Sequence, residues 1–88
     1  MIEAEMEKTL KAVANRRRLA ILNCLQSRKE MSVGNIARQI KLSFRSTSKH
    51  LSILYTSGLL DREQRSVLMF YKLNPNGHKI LSAINSLA

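Results

Sequence analysis

Apolar residues recur every three or four positions through residues 2 to 57, then every second position through residues 60 to 73, before the helical interval returns at the end of the chain. Those periods predict a run of helices, a pair of strands and a closing helix. In residues 2 to 14, Ile2, Met6, Thr9, Leu10 and Val13 line one side of an amphipathic helix whose other side is Glu and Lys. Asn15 can cap a second helix that runs to about Gln26, with Leu19, Ile21, Leu22 and Leu25 as its apolar side. Ser32 can cap a short third helix with Val33, Ile36, Ala37 and Ile40 inside and Arg38, Gln39 and Lys41 outside. Ser43 can cap a fourth that continues to Ser57, with Gly58 in the position after a helix where a left-handed residue is common.

The third and fourth helices are separated only by a tight turn, which is the signature of a helix-turn-helix. Within the fourth, Thr47, Leu51 and Leu54 fall at i, i+4 and i+7 and form its buried stripe, leaving Arg45, Lys49 and Ser52 on the opposite side with Ser46 and Ser48 beside them. After Gly58 the alternation predicts strands at Leu60 to Gln64 and Val67 to Leu73, joined at a tip around Arg65 and Ser66. Met69, Tyr71 and Leu73 then share an inner face, and Asp61, Glu63 and Arg65 an outer one. Asn74 caps a last helix with Pro75 at its first position and Ile80, Ile84 and Leu87 as its apolar stripe. The expected fold is mainly α with a small β-hairpin, in the order α-α-α-α-β-β-α, and residues 1–88 read as one domain.

Charge sharpens this picture. The chain carries fifteen Lys and Arg against six Asp and Glu, a formal net charge of +9. Glu3, Glu5 and Glu7 take half of the acids, so from residue 8 onward the only acids are Glu30, Asp61 and Glu63. A body this basic favours a polyanion, nucleic acid before an anionic membrane surface. Arg16, Arg17 and Arg18 sit in the first turn of the second helix, where cations oppose the helix dipole unless an acid or a phosphate meets them. No apolar run reaches membrane-spanning length and the N-terminus is acidic where a signal peptide would be basic, so a cytoplasmic protein is expected. Cys24 is the only cysteine and reads as an inert, half-buried residue; an intrachain disulfide is impossible. There is no paired nucleophile and base and no phosphate-binding glycine loop, which argues against an enzyme.

Three stretches, in order and spacing, resemble the ArsR family of bacterial and archaeal repressors over residues 10 to 73. Residues 14 to 22, ANRRRLAIL, are similar to the family's entry into its second helix, with Arg18-Leu19 ahead of Ile21-Leu22. Residues 42 to 54, LSFRSTSKHLSIL, resemble its recognition segment, which closes here on Ser48-Lys49-His50-Leu51. Residues 57 to 73 resemble its wing, with Gly58-Leu59 at the start and Tyr71-Lys72-Leu73 at the end. The resemblance implies a winged helix-turn-helix that dimerises through its terminal helices, here through Ile2, Met6, Leu10, Val13, Ile80, Ile84 and Leu87. The family's metal motifs are missing: Glu30 to Gly34 holds no cysteine, and the last helix offers only His78. Neither a metal nor a cofactor is expected. The wing's usual Gly is absent as well, and Phe44 stands where the family often has Gln.

The expected partner is double-stranded DNA, bound by a homodimeric repressor whose paired helices read half-sites about one helical turn apart. Arg45, Ser46, Ser48 and Lys49 are the candidates for base edges, with Arg45 able to donate to both O6 and N7 of guanine. Lys49, Arg62 and Arg65 are candidates for phosphate, Ser66 for the wing contact, and Ser43 for offering backbone N–H groups at the helix start. Phe44 joins this set as a contact to a thymine methyl, with core or turn packing as its plainer use, and His50 reads as a packing or capping residue. Two other readings stay open: a basic winged helix that binds RNA or DNA without sequence preference, and one that binds protein.

Overall fold

A computed structural model of the chain describes residues 2–88. Its elements are α1 (Ile2–Val13), α2 (Arg16–Ser27), β1 (Met31–Ser32), α3 (Val33–Ile40), α4 (Phe44–Thr56), β2 (Leu60–Arg65), β3 (Leu68–Leu73) and α5 (Pro75–Asn85). Four helices start at the caps the sequence singles out. Asn15 accepts from the amide of Arg18, Ser32 from Asn35, Ser43 from Ser46 and Asn74 from Gly77, at 2.8 to 3.2 Å. Each bond satisfies one of the amides a helix start leaves unpartnered.

Helix ends obey the same accounting. After α4, Gly58 turns left-handed at φ 80°, its amide donates to Tyr55 O and that of Leu59 to Leu54 O, closing a Schellman motif. After α3 the same pair of bonds runs from Lys41 to Arg38 O and from Leu42 to Ala37 O. Here a lysine takes the left-handed position, at φ 56°. The third helix therefore ends one residue before Lys41, which lies in the turn of the helix-turn-helix rather than on the outer face of α3.

Two elements differ from the sequence expectation. Met31 and Ser32 form a short strand that pairs antiparallel with Tyr71 and Phe70, so the sheet has three strands in the order β1-β3-β2. Ser32 thus closes the sheet with its backbone and opens α3 with its hydroxyl. The hairpin tip is also shifted one residue toward the C-terminus from where the alternation puts it. Arg65 pairs with Leu68, and the tip is Ser66 and Val67, not Arg65 and Ser66. Ser66 adopts φ 57° at the first central position, where a type II′ turn favours glycine. A side chain in that region costs ~1–2 kcal/mol relative to glycine.

The core lies where α2, α3, α4 and α5 meet the inner face of the sheet. Ile21, Leu22, Leu25, Ile36, Leu51, Leu54, Leu59, Leu60 and Leu81 are fully buried, joined by Met31, Val33, Tyr71 and Leu73. Val13 belongs to this cluster, so the last turn of α1 is tucked into its own protomer. The expectation that Val13 lines a dimer surface is corrected accordingly. Toward the N-terminus the large apolar positions of its stripe, Leu10, Met6 and Ile2, are 62%, 58% and 70% exposed. Ile2, Met6 and Leu10 border a groove closed on the far side by Asn76 and Ile80 of α5. Ile80 and Ile84 pack partly against the core, and Leu87 beyond α5 is exposed.

Candidate nucleic-acid interface

The recognition segment is fixed from below and open above. Thr47, Leu51 and Leu54 are buried, as their spacing predicts, and anchor α4 against the core. Thr47 contributes shape alone, because its buried hydroxyl has no hydrogen-bond partner among the described residues. On the other side Arg45, Lys49 and Ser52 are exposed, with Ser46 and Ser48 half-buried next to them. No acid occurs anywhere from Phe44 to Thr56, so nothing on this helix would repel a phosphate backbone. The hydroxyl of Ser43 is engaged with the amide of Ser46, which leaves the first-turn amides of Phe44 and Arg45 directed out of the helix N-terminus. Lys41, absent from the sequence-based candidates, is brought to the same end of α4 by the left-handed turn and is exposed.

The sequence leaves Phe44 open between packing and contact. The structure leaves it 62% exposed at the first position of α4, outside the core cluster. Core packing is therefore not its role.

Arg18 explains one of the three cations that looked misplaced at the start of α2. Its guanidinium donates to the carbonyls of Ala12 and Lys11, the orphan acceptors at the end of α1, and so answers one dipole while opposing another. The same group lies 3.2 Å from Nδ1 of His50 on α4. Arginine can only donate, so Nδ1 is the acceptor and the ring proton sits on Nε2. One side chain thus ties the end of α1, the start of α2 and the recognition helix together. His50 does what its place beside the buried stripe suggests: it packs.

Burial first, then the charges of Arg18 and Arg17, hold His50 below its ordinary value of 6.5. The folded state therefore favours the neutral ring, while the unfolded chain takes up a proton as pH falls through that value. Stability contributed by this site is complete above about pH 6.5 and declines below it. Chemical denaturation between about pH 7.5 and pH 5.5 is expected to show that decline in the wild type and a flatter profile in His50→Gln. A wild-type profile flat over this range, or an undiminished slope in the variant, would contradict the assignment.

The wing's two arginines have different surroundings. Arg62 lies over the ring of Tyr55 on α4, 3.9 Å from the centroid, so it joins the hairpin to the recognition helix while keeping its charge at the surface. Arg65 is clamped on the outer face: Nη1 and Nη2 meet both oxygens of Glu30 at 2.7 and 2.8 Å, Nη2 meets Glu63 at 2.7 Å, and the guanidinium covers Phe70. Two carboxylates neutralise it locally. The fork holds the hairpin against the loop before β1, so Arg65 fixes the wing's angle. Glu63 shares the outer face that the alternation predicts, whereas Glu30 lies thirty-five residues away, which no local pattern could reveal. Ser66 remains exposed at the tip beside Val67.

Among the described residues, no group of three or more His, Cys, Asp or Glu is arranged to hold a metal ion. The Cys24 thiol lies 3.3 Å from the sulfur of Met31, and burial pushes its pKa above the ordinary value, away from thiolate character. No described helix is long and apolar enough to cross a membrane.

Comparison with known proteins places this geometry. Residues 15–62 match the family model described as bacterial regulatory protein, arsR family. The chain is 39% identical over 77 residues to the transcriptional activator HlyU of Vibrio cholerae, covering 80% of this chain and 70% of that protein. The solved structure of HlyU from Vibrio cholerae superposes with a TM-score of 0.87 at 32% identity, covering 99% of this chain and 95% of the other. The homodimeric winged helix-turn-helix DNA-binding domain of Mb0332 from Mycobacterium bovis superposes with a TM-score of 0.89 over 98% of this chain and 80% of its own; at 23% identity that likeness concerns the fold.

Proposed function

The chain belongs to the ArsR family of bacterial regulatory proteins, and from that premise we propose that it is a homodimeric, sequence-specific DNA-binding transcriptional repressor without a metal-sensing site. The observation that carries this reading is the face of α4: an acid-free helix held by three buried side chains, with Arg45 and Lys49 both exposed. An α-helix fits the major groove of B-DNA, and the residues near its N-terminus reach the base edges. Arg45 reads guanine through O6 and N7, and Ser46 and Ser48 supply shorter hydrogen bonds beside it. Lys49, Arg62 and the amides above Ser43 bind phosphate and set the register. Arg65 acts by placing the wing, through its hold on Glu30, and the exposed Ser66 at the tip makes the wing's contact with the duplex.

Homodimerisation is supported by the exposed stripe Ile2, Met6 and Leu10 beside α5, an apolar surface that a protomer this small leaves uncovered. A two-fold pair presents two recognition helices to half-sites about one helical turn apart. A dimer seated there excludes other proteins from the same duplex. Where the excluded protein is polymerase, the result is repression. The relative HlyU carries the name activator, which is compatible with the same occupancy when a different protein is displaced.

Selection of bound duplexes from a random pool tests this. The wild type is expected to enrich a pseudo-palindrome, and Arg45→Ala to weaken binding by about 1–3 kcal/mol while relaxing one position in each half-site. Lys49→Ala should instead weaken all sequences alike and lower the slope of log affinity against log salt. A pool that stays flat, with binding governed by salt alone, would replace this function with non-specific nucleic-acid binding. Absence of duplex binding would leave the protein-interaction reading.

A further inference from the structure

Phe44 is an apolar side chain in polar company. Its neighbours along the chain are Ser43 and Arg45, and the residue one turn further along the same surface is Ser48. Single apolar residues are common on protein surfaces, so exposure alone assigns nothing to Phe44. Its position does. It is the first residue of the helix that carries Arg45 and Lys49, at the end that enters a groove, and it stands outside the core cluster.

A phenyl ring has no donor and no acceptor, so it cannot distinguish bases by hydrogen bonding. The apolar group on the major-groove edge of a base pair is the C5-methyl of thymine. We infer that Phe44 reads this methyl group, making the protein's preference depend on a C5-methylated pyrimidine at one position in each half-site, next to the base pair read by Arg45. The inference rests on α4 being the groove-binding helix. It divides the work on that helix into polar readout by Arg45, Ser46 and Ser48 and apolar readout by Phe44. 5-Methylcytosine carries the same methyl at the same place and should serve in part for thymine.

The test replaces each thymine of the best selected duplex by uracil, which removes the methyl and leaves the pairing and the hydrogen-bonding edges intact. For the wild type, uracil at that position in one half-site is expected to weaken binding about fourfold, the worth of one carbon of buried hydrocarbon, and about fifteenfold when both half-sites carry it. Phe44→Ala should bind the thymine and uracil duplexes alike, and Phe44→Leu should keep part of the preference. Because the ring lies outside the core, both variants should melt as the wild type does. At the same position, 5-methylcytosine should bind the wild type better than cytosine does. A wild type indifferent to every uracil replacement, or a uracil penalty undiminished in Phe44→Ala, overturns the assignment. Either result with an enriched motif defeats this inference alone, whereas a flat selection defeats the functional reading and this inference with it.

Discussion

Replacing Gly77 by alanine is expected to unseat α5 and to cost at least about 3 kcal/mol of stability, at or beyond the upper end of ordinary overpacking. Gly77 lies in the first turn of α5, and a Cβ there would stand 2.2 Å from the backbone oxygen of Leu59, 3.2 Å from its carbonyl carbon and 3.0 Å from Cδ2 of Leu73. The first two neighbours are backbone and cannot swing aside. They are also held: the amide of Asn74 donates to that same Leu59 oxygen, and the side chain of Asn74 donates to Gly58 O at 2.9 Å. The start of α5 is thus pinned to the corner between α4 and β2. Relief of the clash must lift the helix and open the packing around Leu81, which is fully buried. The matched control is Gly34→Ala. Its Cβ would meet only the end of Arg38 at 3.8 Å inside α3, so alanine there should be neutral or stabilising by up to about 1 kcal/mol. Chemical denaturation of the two variants side by side checks the claim. Gly77→Ala within about 0.5 kcal/mol of the wild type would show that α5 docks more loosely than this geometry requires.

That contrast marks what a sequence can and cannot convey. Asn15, Ser32, Ser43 and Asn74 were legible as caps because a cap is a local event: one short polar side chain followed by a periodic apolar run. Gly58 was legible for the same reason. The stripe Thr47, Leu51 and Leu54 was legible because helical spacing decides which face is shared. Gly77 was not, since the backbone it touches lies eighteen residues earlier in the chain. Strand β1 escaped because two residues have no period, and its partners Tyr71 and Phe70 are some forty positions away. Val13 was misplaced because periodicity defines a stripe without saying where along the helix its own fold stops covering it. In α1 that boundary falls between Leu10 and Val13. The arginines were the least legible. Arg18, Arg62 and Arg65 have long side chains whose partners include carbonyls of α1, an aromatic ring of α4 and the distant carboxylate of Glu30, and only the fold brings these within reach. Of the candidate site, the helix and its outward residues followed from sequence, while the devices that hold the helix and wing in place did not.

The boundary in α1 leads to the other large expected effect: Leu10→Lys should leave the protomer folded and abolish the proposed dimer. Leu10 is 62% exposed in the protomer, so the substitution removes little intrachain packing. It also places a cation in the last turn of α1, where the helix dipole favours one, as Lys11 already illustrates. The fold of one copy should therefore tolerate the change. Two copies should not, because a two-fold seam through Ile2, Met6 and Leu10 would bring two ammonium groups out of water against an apolar surface, and the uncompensated burial of charge is unfavourable. Sedimentation should report half the wild-type mass with an unchanged circular dichroism spectrum. Affinity for a duplex holding both half-sites should fall about 10²–10⁴-fold, since the second recognition helix no longer binds at the effective concentration set by the first. The dependence of affinity on salt should flatten too, because a single protomer displaces fewer counterions than a pair. A variant that remains dimeric and binds the full site as the wild type does would move the seam away from α1. A variant that becomes monomeric yet keeps full affinity would mean that one copy is the binding unit.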